Sequence, residues 1–381
     1  MDPILGSCNI DDLRRRRSVK WTEHPPDVLP CFVAEMDFDI SPLIKEAVVE
    51  AVQAGDCGYP GTVGPGDAYA EWAQKTFGWA PRPEHVFAIP DVMTGIAEVL
   101  LAKTSAGAGI AINPPVYPPF FFRTEFVGRR VVEAPLARQA SGRYELDLAA
   151  LDAALSKDGV EAYILCSPHN PVGRVWSRED LMSVADICQR RDVLLVVDEI
   201  HAPLALGPEH VPFSSLDHEM AARAFTFTSA SKGWNVPGLK CAVAVVGADE
   251  SAQLLNSRWE ALIPSHLGVL GTIAAFSQAG NWLDTARKQL AANGRLVGEL
   301  LSGLLPTVGY VAPEASFLAW LDCRSLGLGD DPAARFLEDG RVALASGPRF
   351  GEAGNGYARL NIGTSPELLT DAVQRMRSSI A

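Results

Sequence analysis

The sequence lacks paired cysteines, a long hydrophobic run and an excess of positive charge, and each absence excludes a class of protein. Its seven cysteines are odd in number and scattered, with no Cys-x-x-Cys pair, so the sequence predicts neither a disulfide framework nor a zinc site. No stretch approaches the ~18 uninterrupted apolar residues that a membrane-spanning helix requires. The first turns are charged and hold no apolar targeting segment, so we expect a protein of the reducing cytoplasm.

The charge balance argues against a nucleic-acid surface. The chain has 46 Asp and Glu residues against 33 Lys and Arg residues, a formal net charge of −13. Binding to a phosphate backbone requires clustered lysine and arginine. The basic run Arg14 to Arg17 is more typical of a solvated helix face than of a nucleic-acid patch. We therefore expect neither nucleic acid nor a membrane as a partner.

Apolar runs of strand length alternate with helical patterns through most of the chain. The runs are apolar on both faces, which is typical of strands in a largely parallel sheet covered by helices on both sides. We predict an α/β fold with a mostly parallel seven-stranded sheet between helices. The predicted strands cover residues 86–89, 109–112, 131–134, 162–166, 193–197, 225–228 and 241–246.

The length of 381 residues and the hydrophobic content of 48% allow more than one structural domain. We predict a large domain over residues 51–275 and a smaller α+β domain over residues 276–381, to which an N-terminal segment, residues 1–50, contributes. The small domain is predicted from helical patterns at 282–305 and 333–338 and from strand patterns at 317–321 and 358–362.

Lys232 follows closely after a predicted buried strand, where the loss of water makes an ammonium group unfavourable. Residues 225–228 predict a buried strand, and the small residues Ser229 to Ser231 end it just before Lys232. At such a strand end, loss of water lowers the pKa of a lysine and makes its amine a nucleophile for an aldehyde, which is Schiff-base chemistry. A surface lysine in a loop of glycine and proline is the alternative.

Polar residues follow several other predicted strands, and ligands of parallel α/β sheets bind beyond the carboxyl ends of the strands. Thr94 precedes a helix predicted over 95–103, where it marks either an anion site or a simple cap. Tyr117 in a proline-rich loop either faces a planar ring or packs. Asn170, between two prolines, either bonds a ring oxygen or forms an Asx-turn.

A carboxylate directly ends an apolar strand at Asp198. A buried carboxylate is costly unless it is paired with a cation or a metal, so a structural salt bridge is one interpretation. Beside a Schiff-base lysine, the same carboxylate would keep a pyridinium nitrogen protonated. Lys232 and Asp198 together therefore indicate pyridoxal 5'-phosphate (PLP).

Two further candidate residues, Tyr59 and Arg359, indicate no specific function by themselves. Residues 55–66 are too rich in glycine and proline for a regular element, so we predict a long loop, and long loops are often functional. Tyr59 in this loop either packs or contacts a ligand. Arg359, taken without its context, predicts a surface arginine.

In order and spacing, these residues resemble the class I and II aminotransferases, the fold-type I PLP enzymes, over nearly the whole chain. Each motif is weak alone, and their combination is specific. The pattern consists of Tyr59, Met93-Thr94-Gly95, Tyr117, Asn170-Pro171-x-Gly173, Asp198-x-x-His201, Ser229-x-x-Lys232, Lys240 and Arg359.

The resemblance implies a role for each position around the cofactor ring. Lys232 would bind PLP covalently and act as the general base, and Asp198 would face the pyridine nitrogen. Asn170 would contact the phenolic oxygen and lie against the substrate. His201, where many relatives have tyrosine, would offer a second contact to that oxygen. Tyr117 would stack on the ring.

The resemblance also implies how the charged ends are held. Arg359 would clamp the α-carboxylate of an amino-acid substrate, a bidentate task that suits its planar fork. The enzyme would be a homodimer with shared active sites, to which residues 1–50 contribute. The residues implied to bind the cofactor phosphate are Met93, Thr94, Ser229, Lys240 and, from the neighbouring subunit, Tyr59.

A narrower resemblance is to the cystathionine β-lyase, or cysteine-S-conjugate β-lyase, branch. It rests on Leu29-Pro-Cys-Phe-Val-Ala-Glu-Met-Asp-Phe38, Pro168-His-Asn-Pro-Val-Gly-Arg174 and Asp198-Glu-Ile-His201. Gly233-Trp234 departs from the commoner pattern and is expected to alter the pocket floor. The resemblance implies a C–S β-lyase that yields a thiol, pyruvate and ammonia. The alternatives are a PLP-dependent aminotransferase, another α-carbon reaction such as decarboxylation of a specialised biosynthetic amino acid, and a non-catalytic interaction protein.

Overall fold

The computed structural model describes residues 2–61 and 63–380. The strands are numbered in chain order. They are β1 (Leu29–Cys31), β2 (Val86–Ile89), β3 (Gly109–Ile112), β4 (Arg130–Glu133), β5 (Ala137–Arg138), β6 (Tyr144–Glu145), β7 (Val160–Cys166), β8 (Leu194–Asp198), β9 (Phe225–Thr228), β10 (Ala242–Val246), β11 (Gly309–Tyr310), β12 (Leu318–Asp322), β13 (Val342–Ser346) and β14 (Tyr357–Asn361).

A seven-stranded sheet forms the centre of the larger part of the molecule, in the order β2-β10-β9-β8-β7-β3-β4. The neighbours from β9 to β4 run parallel, whereas β10 runs antiparallel to both β2 and β9. The predicted α/β fold with a mostly parallel seven-stranded sheet is confirmed. The carboxyl ends of β2, β3, β7, β8 and β9 consequently point to the same edge.

Helices cover both faces of this sheet, which explains why its strands are apolar on both sides. Along β7, Tyr163 and Leu165 pack into the core on one face, while Ile164 and Cys166 pack into the core on the other. The helices are α1 (Ile10–Leu13), α2 (Val19–Thr22), α3 (Pro42–Gln53), α4 (Gly66–Phe77), α5 (Val92–Lys103), α6 (Pro119–Phe126), α7 (Leu148–Leu155), α8 (Arg178–Arg191), α9 (Glu219–Arg223), α10 (Ala230–Gly233), α11 (Asp249–Ser257), α12 (His266–Gln278), α13 (Gly280–Leu304), α14 (Pro332–Glu338) and α15 (Pro366–Ser378).

A second sheet has five strands in the order β1-β13-β14-β12-β11. Strand β1 comes from the N-terminal segment and pairs in parallel with β13, while the other pairs are antiparallel. The domain boundaries at residues 50 and 275 stay predictions. Within the residues that are described, no helix combines the length and the apolar character needed to span a membrane.

Several predicted boundaries move by one to three residues. The strand predicted over 131–134 lies at Arg130–Glu133. The helix predicted from Gly95 begins at Val92, because the side chain of Asp91 caps it by accepting the N–H of Thr94 at 2.8 Å. Residues 93 and 94 therefore lie in the first turn of α5 and not before it.

Candidate functional site

A cavity of about 360 Å³ opens at the edge where the parallel strands end. This volume lies in the range of small-molecule sites. The structure brings together at this cavity most of the residues predicted from the sequence. Those that line it are Met93, Tyr117, Asn170, Asp198, His201, Lys232 and Lys240.

Four predicted site residues lie outside the lining. Thr94 is in α5, and Ser229 is buried, with its hydroxyl donating to the carbonyl of Cys241 at 2.8 Å. Arg359 contacts Asn170, which lines the cavity. Tyr59 is 90% exposed in the loop before α4 and is not part of the cavity lining.

Lys232 is positioned by the end of β9 at Thr228 and the start of α10 at Ala230. Ser229 caps α10 by accepting the N–H of Ser231 at 3.0 Å, which starts the short helix that carries the lysine. Its Nζ donates to the carbonyl of Ala34 at 2.6 Å. Burial, and then the charge of Arg359, lower the pKa of Lys232 to about 8. Lys232 is therefore a half-buried lysine with a lowered pKa, not the surface lysine of the alternative interpretation.

Asp198 ends β8 and is 3% exposed. Burial raises the pKa of this carboxyl to about 7, and its Oδ1 accepts the N–H of Ile200 at 3.0 Å. Over the described residues, no lysine or arginine lies within ion-pair distance of it, so the structural salt bridge is not found. A buried acid that lines a cavity and has no ion-pair partner of its own suits a protonated ring nitrogen as its partner.

Arg359 and Asn170 form one unit. Nη1 of Arg359 donates to Oδ1 of Asn170 at 3.1 Å, and Nη2 donates to the carbonyl of Phe32 at 3.0 Å. Its Nε is buried and has no hydrogen-bond partner, and burial lowers the pKa of Arg359 to about 10. Arg359 is thus a buried arginine with an unused donor, which suits capture of a carboxylate.

Two uncharged rings complete the wall. Burial, reinforced by the charge of Asp198, raises the pKa of Tyr117 to about 12, so its hydroxyl stays protonated. Burial, and then the charge of Lys232, lower the pKa of His201 to about 3. Nδ1 of His201 is buried without a hydrogen-bond partner. His201 is therefore a neutral imidazole that can still donate or accept one bond.

The start of α5 and Lys240 form a potential anion site. Asp91 occupies it in this structure, because its carboxylate pairs with Nζ of Lys240 and accepts the N–H of Thr94. A phosphate at this end of the cavity would compete with Asp91 for the same donors. The sequence analysis did not identify Asp91 as the residue that caps α5 and competes for these donors.

Other lining groups also escaped sequence analysis. The carbonyl of Ala34 is a main-chain group and gives no sequence signal, whereas Ser231, which lines the cavity, stands in the small-residue run before Lys232.

The expectation that Gly233-Trp234 alters the pocket floor is wrong for Trp234. Trp234 is fully buried in the core and donates from Nε1 to the carbonyl of Ala279 at 2.9 Å, so it does not form the pocket floor.

A larger cavity of about 500 Å³ lies elsewhere, beside the first half of α13, and contains none of the predicted site residues. Its size alone does not make it the chemical centre. Across the described part of the chain, no group of three or more His, Cys, Asp or Glu residues could hold a metal ion. The smaller cavity, by contrast, is lined by both Lys232 and Asp198.

Comparisons with known proteins agree with the resemblance seen in the motifs. The chain is 42% identical to a putative cystathionine beta-lyase of Mycobacterium leprae, covering 98% of this chain and 97% of the relative. It is 35% identical to a cystathionine beta-lyase of Bacillus subtilis, covering 98% and 100%. The crystal structure of a putative PLP-dependent beta-cystathionase from Corynebacterium diphtheriae matches with a TM-score of 0.91 at 32% identity, covering 98% of both chains. Since residues 33–376 also match the family model for aminotransferase class I and II, the chain belongs to the class I and II aminotransferase family.

Proposed function

We propose that this protein is a PLP-dependent carbon–sulfur β-lyase that cleaves cystathionine or another cysteine S-conjugate to a thiol, pyruvate and ammonia. The observation that carries the proposal is one cavity lined by both a desolvated lysine, Lys232, and a buried acid without an ion-pair partner, Asp198. Full-length relatives that bear the name cystathionine beta-lyase support the reaction class. PLP, when bound, supplies an electron sink for negative charge at the substrate α-carbon.

The residues present fit this cofactor. Asp198 would hold the proton of the ring nitrogen, and the wall that contains Tyr117 would face the ring. Asn170 and His201 would hydrogen-bond the ring oxygen, for which Nδ1 of His201 is unused. The N–H groups at the start of α5, together with Lys240, would bind the phosphate.

The same chain can orient an amino acid and move its proton. Arg359 would bind the α-carboxylate, using the buried Nε that has no partner in this structure. With a pKa lowered to about 8, Lys232 has a well-populated neutral amine that can take the α-proton. Thiolate then leaves the β-carbon. With one water, the three-carbon remainder becomes pyruvate and ammonia.

We also infer a homodimer in which Tyr59 reaches the phosphate site of the other subunit. Tyr59 and Val63 are 90% and 73% exposed, although both are apolar or aromatic. Leu43, Val49 and Val52 are exposed on the nearby helix α3. Light scattering should give twice the monomer mass. Tyr59→Ala should weaken PLP binding without changing that mass, whereas an active monomer would refute the inference.

A cytoplasmic location completes the proposal. In the part of the chain that the structure describes, Cys31, Cys57, Cys166, Cys188, Cys241 and Cys323 are free thiols, and Cys57 is exposed, which suits a reducing compartment. Fractionation of the native host should place the protein with cytoplasmic enzymes, and recovery from the medium would contradict this location.

The reaction is tested by supplying L-cystathionine to the PLP-saturated enzyme. Pyruvate and free thiol should appear in equal amounts, and Lys232→Ala should produce neither. Substrate loss that requires an added 2-keto acid and yields no thiol would replace the β-lyase with an aminotransferase. Release of carbon dioxide would replace it with a decarboxylase.

A further inference from the structure

Arg123 places a positive charge on the wall of the active-site cavity. It lies on α6 four residues after Pro119, and both residues line the cavity. Residues four apart share one face of a helix, so this face of α6 forms part of the wall. Helix α6 begins two residues after Tyr117, the predicted ring-stacking residue. Arg123 therefore lies about one helical turn after the start of α6.

The guanidinium of Arg123 has no carboxylate partner within residues 2–61 and 63–380. It lies over the ring of Phe126, whose centroid is 5.6 Å away. The other cations of the lining are engaged, since Lys240 pairs with Asp91 and Lys232 donates to a main-chain carbonyl. A cation–π contact at a partly exposed site is weak. Arg123 can therefore turn toward an anionic ligand without breaking an ion pair.

The remaining charges of an S-conjugate already have partners in the proposed function. Arg359 is assigned to the α-carboxylate, and Lys240 with the start of α5 is assigned to the cofactor phosphate. The part of the substrate that still needs a partner is the group bound to sulfur. Arginine binds a carboxylate bidentately, which gives both strength and direction.

We propose that Arg123 binds a carboxylate at the far end of the sulfur-bound group, so that the enzyme prefers cysteine conjugates whose leaving thiol is anionic. The inference rests on the proposed β-lyase function, because it assigns the substrate's reacting end to Arg359 and Lys232. Arg123 acts as a specificity residue and takes no part in proton transfer.

A matched pair of substrates tests this role. S-(2-carboxyethyl)-L-cysteine and S-(2-carbamoylethyl)-L-cysteine have the same shape and differ in the distal charge. Wild-type kcat/KM should favour the carboxylate by about ten- to hundredfold, the usual range for a charged hydrogen bond. Arg123→Met should lose this preference through KM, with kcat and the amide substrate nearly unchanged, and Arg123→Lys should restore part of it.

The control variant is Arg295→Met, which removes an exposed arginine on α13 outside the cavity and should keep the wild-type preference. Equal loss on both substrates in Arg123→Met, or no preference in the wild type, would overturn the proposal. Loss of bound PLP in Arg123→Met would also overturn it, since Arg123 would then serve the phosphate.

Binding separates failure of this inference from failure of the β-lyase proposal. If the wild type releases pyruvate from neither conjugate and not from L-cystathionine either, the proposed function is wrong. Dissociation constants for L-2-aminopimelate and L-2-aminoheptanoate, which have no leaving group, still test Arg123. Arg123→Met should weaken only the first by about tenfold or more, and equal affinities of the wild type for both ligands would exclude a distal carboxylate site.

Discussion

Replacing Asp198 with asparagine should stabilise the cofactor-free protein at alkaline pH and weaken its hold on PLP. Asparagine keeps the size of the side chain and the bond from Ile200, but it cannot ionise. Asp198 is 3% exposed, and burial raises its pKa from 3.8 to about 7. This difference of about three in the pKa of Asp198 between the unfolded and the folded chain corresponds to ~4 kcal/mol of unfolding free energy at most.

The sign follows from the raised pKa. Below about pH 4, Asp198 is protonated in both the folded and the unfolded chain, and its burial costs no ionisation energy. Between about pH 4 and pH 7 the unfolded chain releases the proton while the folded chain keeps it, so stability is lost. Above about pH 7 the loss is constant. Cofactor-free Asp198→Asn should thus match the wild type near pH 4 and exceed it at pH 8.

Urea denaturation of cofactor-free wild type and Asp198→Asn, at equal protein concentration and at both pH values, measures this difference. The denaturation midpoint of the variant should be higher at pH 8 only. With PLP added, the order should reverse, because the charged partner of the ring nitrogen is missing. A cofactor-free variant that is less stable at pH 8, or a difference independent of pH, would refute the argument.

Three further substitutions give expected outcomes. Lys232→Ala should abolish turnover and covalent cofactor binding while the fold, followed by circular dichroism, persists. Lys20→Met should lower the unfolding free energy by about 3–5 kcal/mol in urea, because it leaves Asp37 buried without the ammonium that lies 2.8 Å away. Gly268→Ala should cost about 1–3 kcal/mol in thermal denaturation, because its Cβ would lie 2.1 Å from the main-chain oxygen of Leu239.

Each stability prediction has a matched control. Lys75→Met removes a lysine from an exposed pair with Glu71 and should change stability by less than about 1 kcal/mol. Gly280→Ala adds a methyl group with nothing within 4 Å and should not destabilise. If either control cost as much as its partner substitution, buried ion pairing or close packing would not be the cause.

Much of the fold could be predicted because burial on both faces leaves a pattern in the strands. Residues 162–166 of β7 and 194–197 of β8 are apolar without alternation, and polar residues follow where these runs end. Lys232 and Asp198 could be found by the same logic, since each is a charge at the end of an apolar run. That Lys232 and Asp198 lie close together follows from the parallel pairing of the neighbouring strands β8 and β9, which the sequence alone does not show.

The rest of the site depends on contacts between distant parts of the chain. The carbonyl of Ala34 meets Lys232 across 198 positions, and a main-chain group has no side-chain signature. Asp91 was missed because one carboxylate both caps α5 and pairs with Lys240, a role that only the fold reveals. Arg123 was missed because a helical arginine is usually solvated, and only the cavity distinguishes this one.

The central claim is that Lys232 holds the cofactor, and the most direct measurement locates the attached group. The protein is saturated with PLP, treated with borohydride to fix any bond to an amine, digested and mapped by mass spectrometry. We expect the phosphopyridoxyl group on the peptide that contains Lys232, and its absence there in Lys232→Ala. Attachment to Lys240, the other lysine of the cavity lining, or to no lysine at all, would contradict the account.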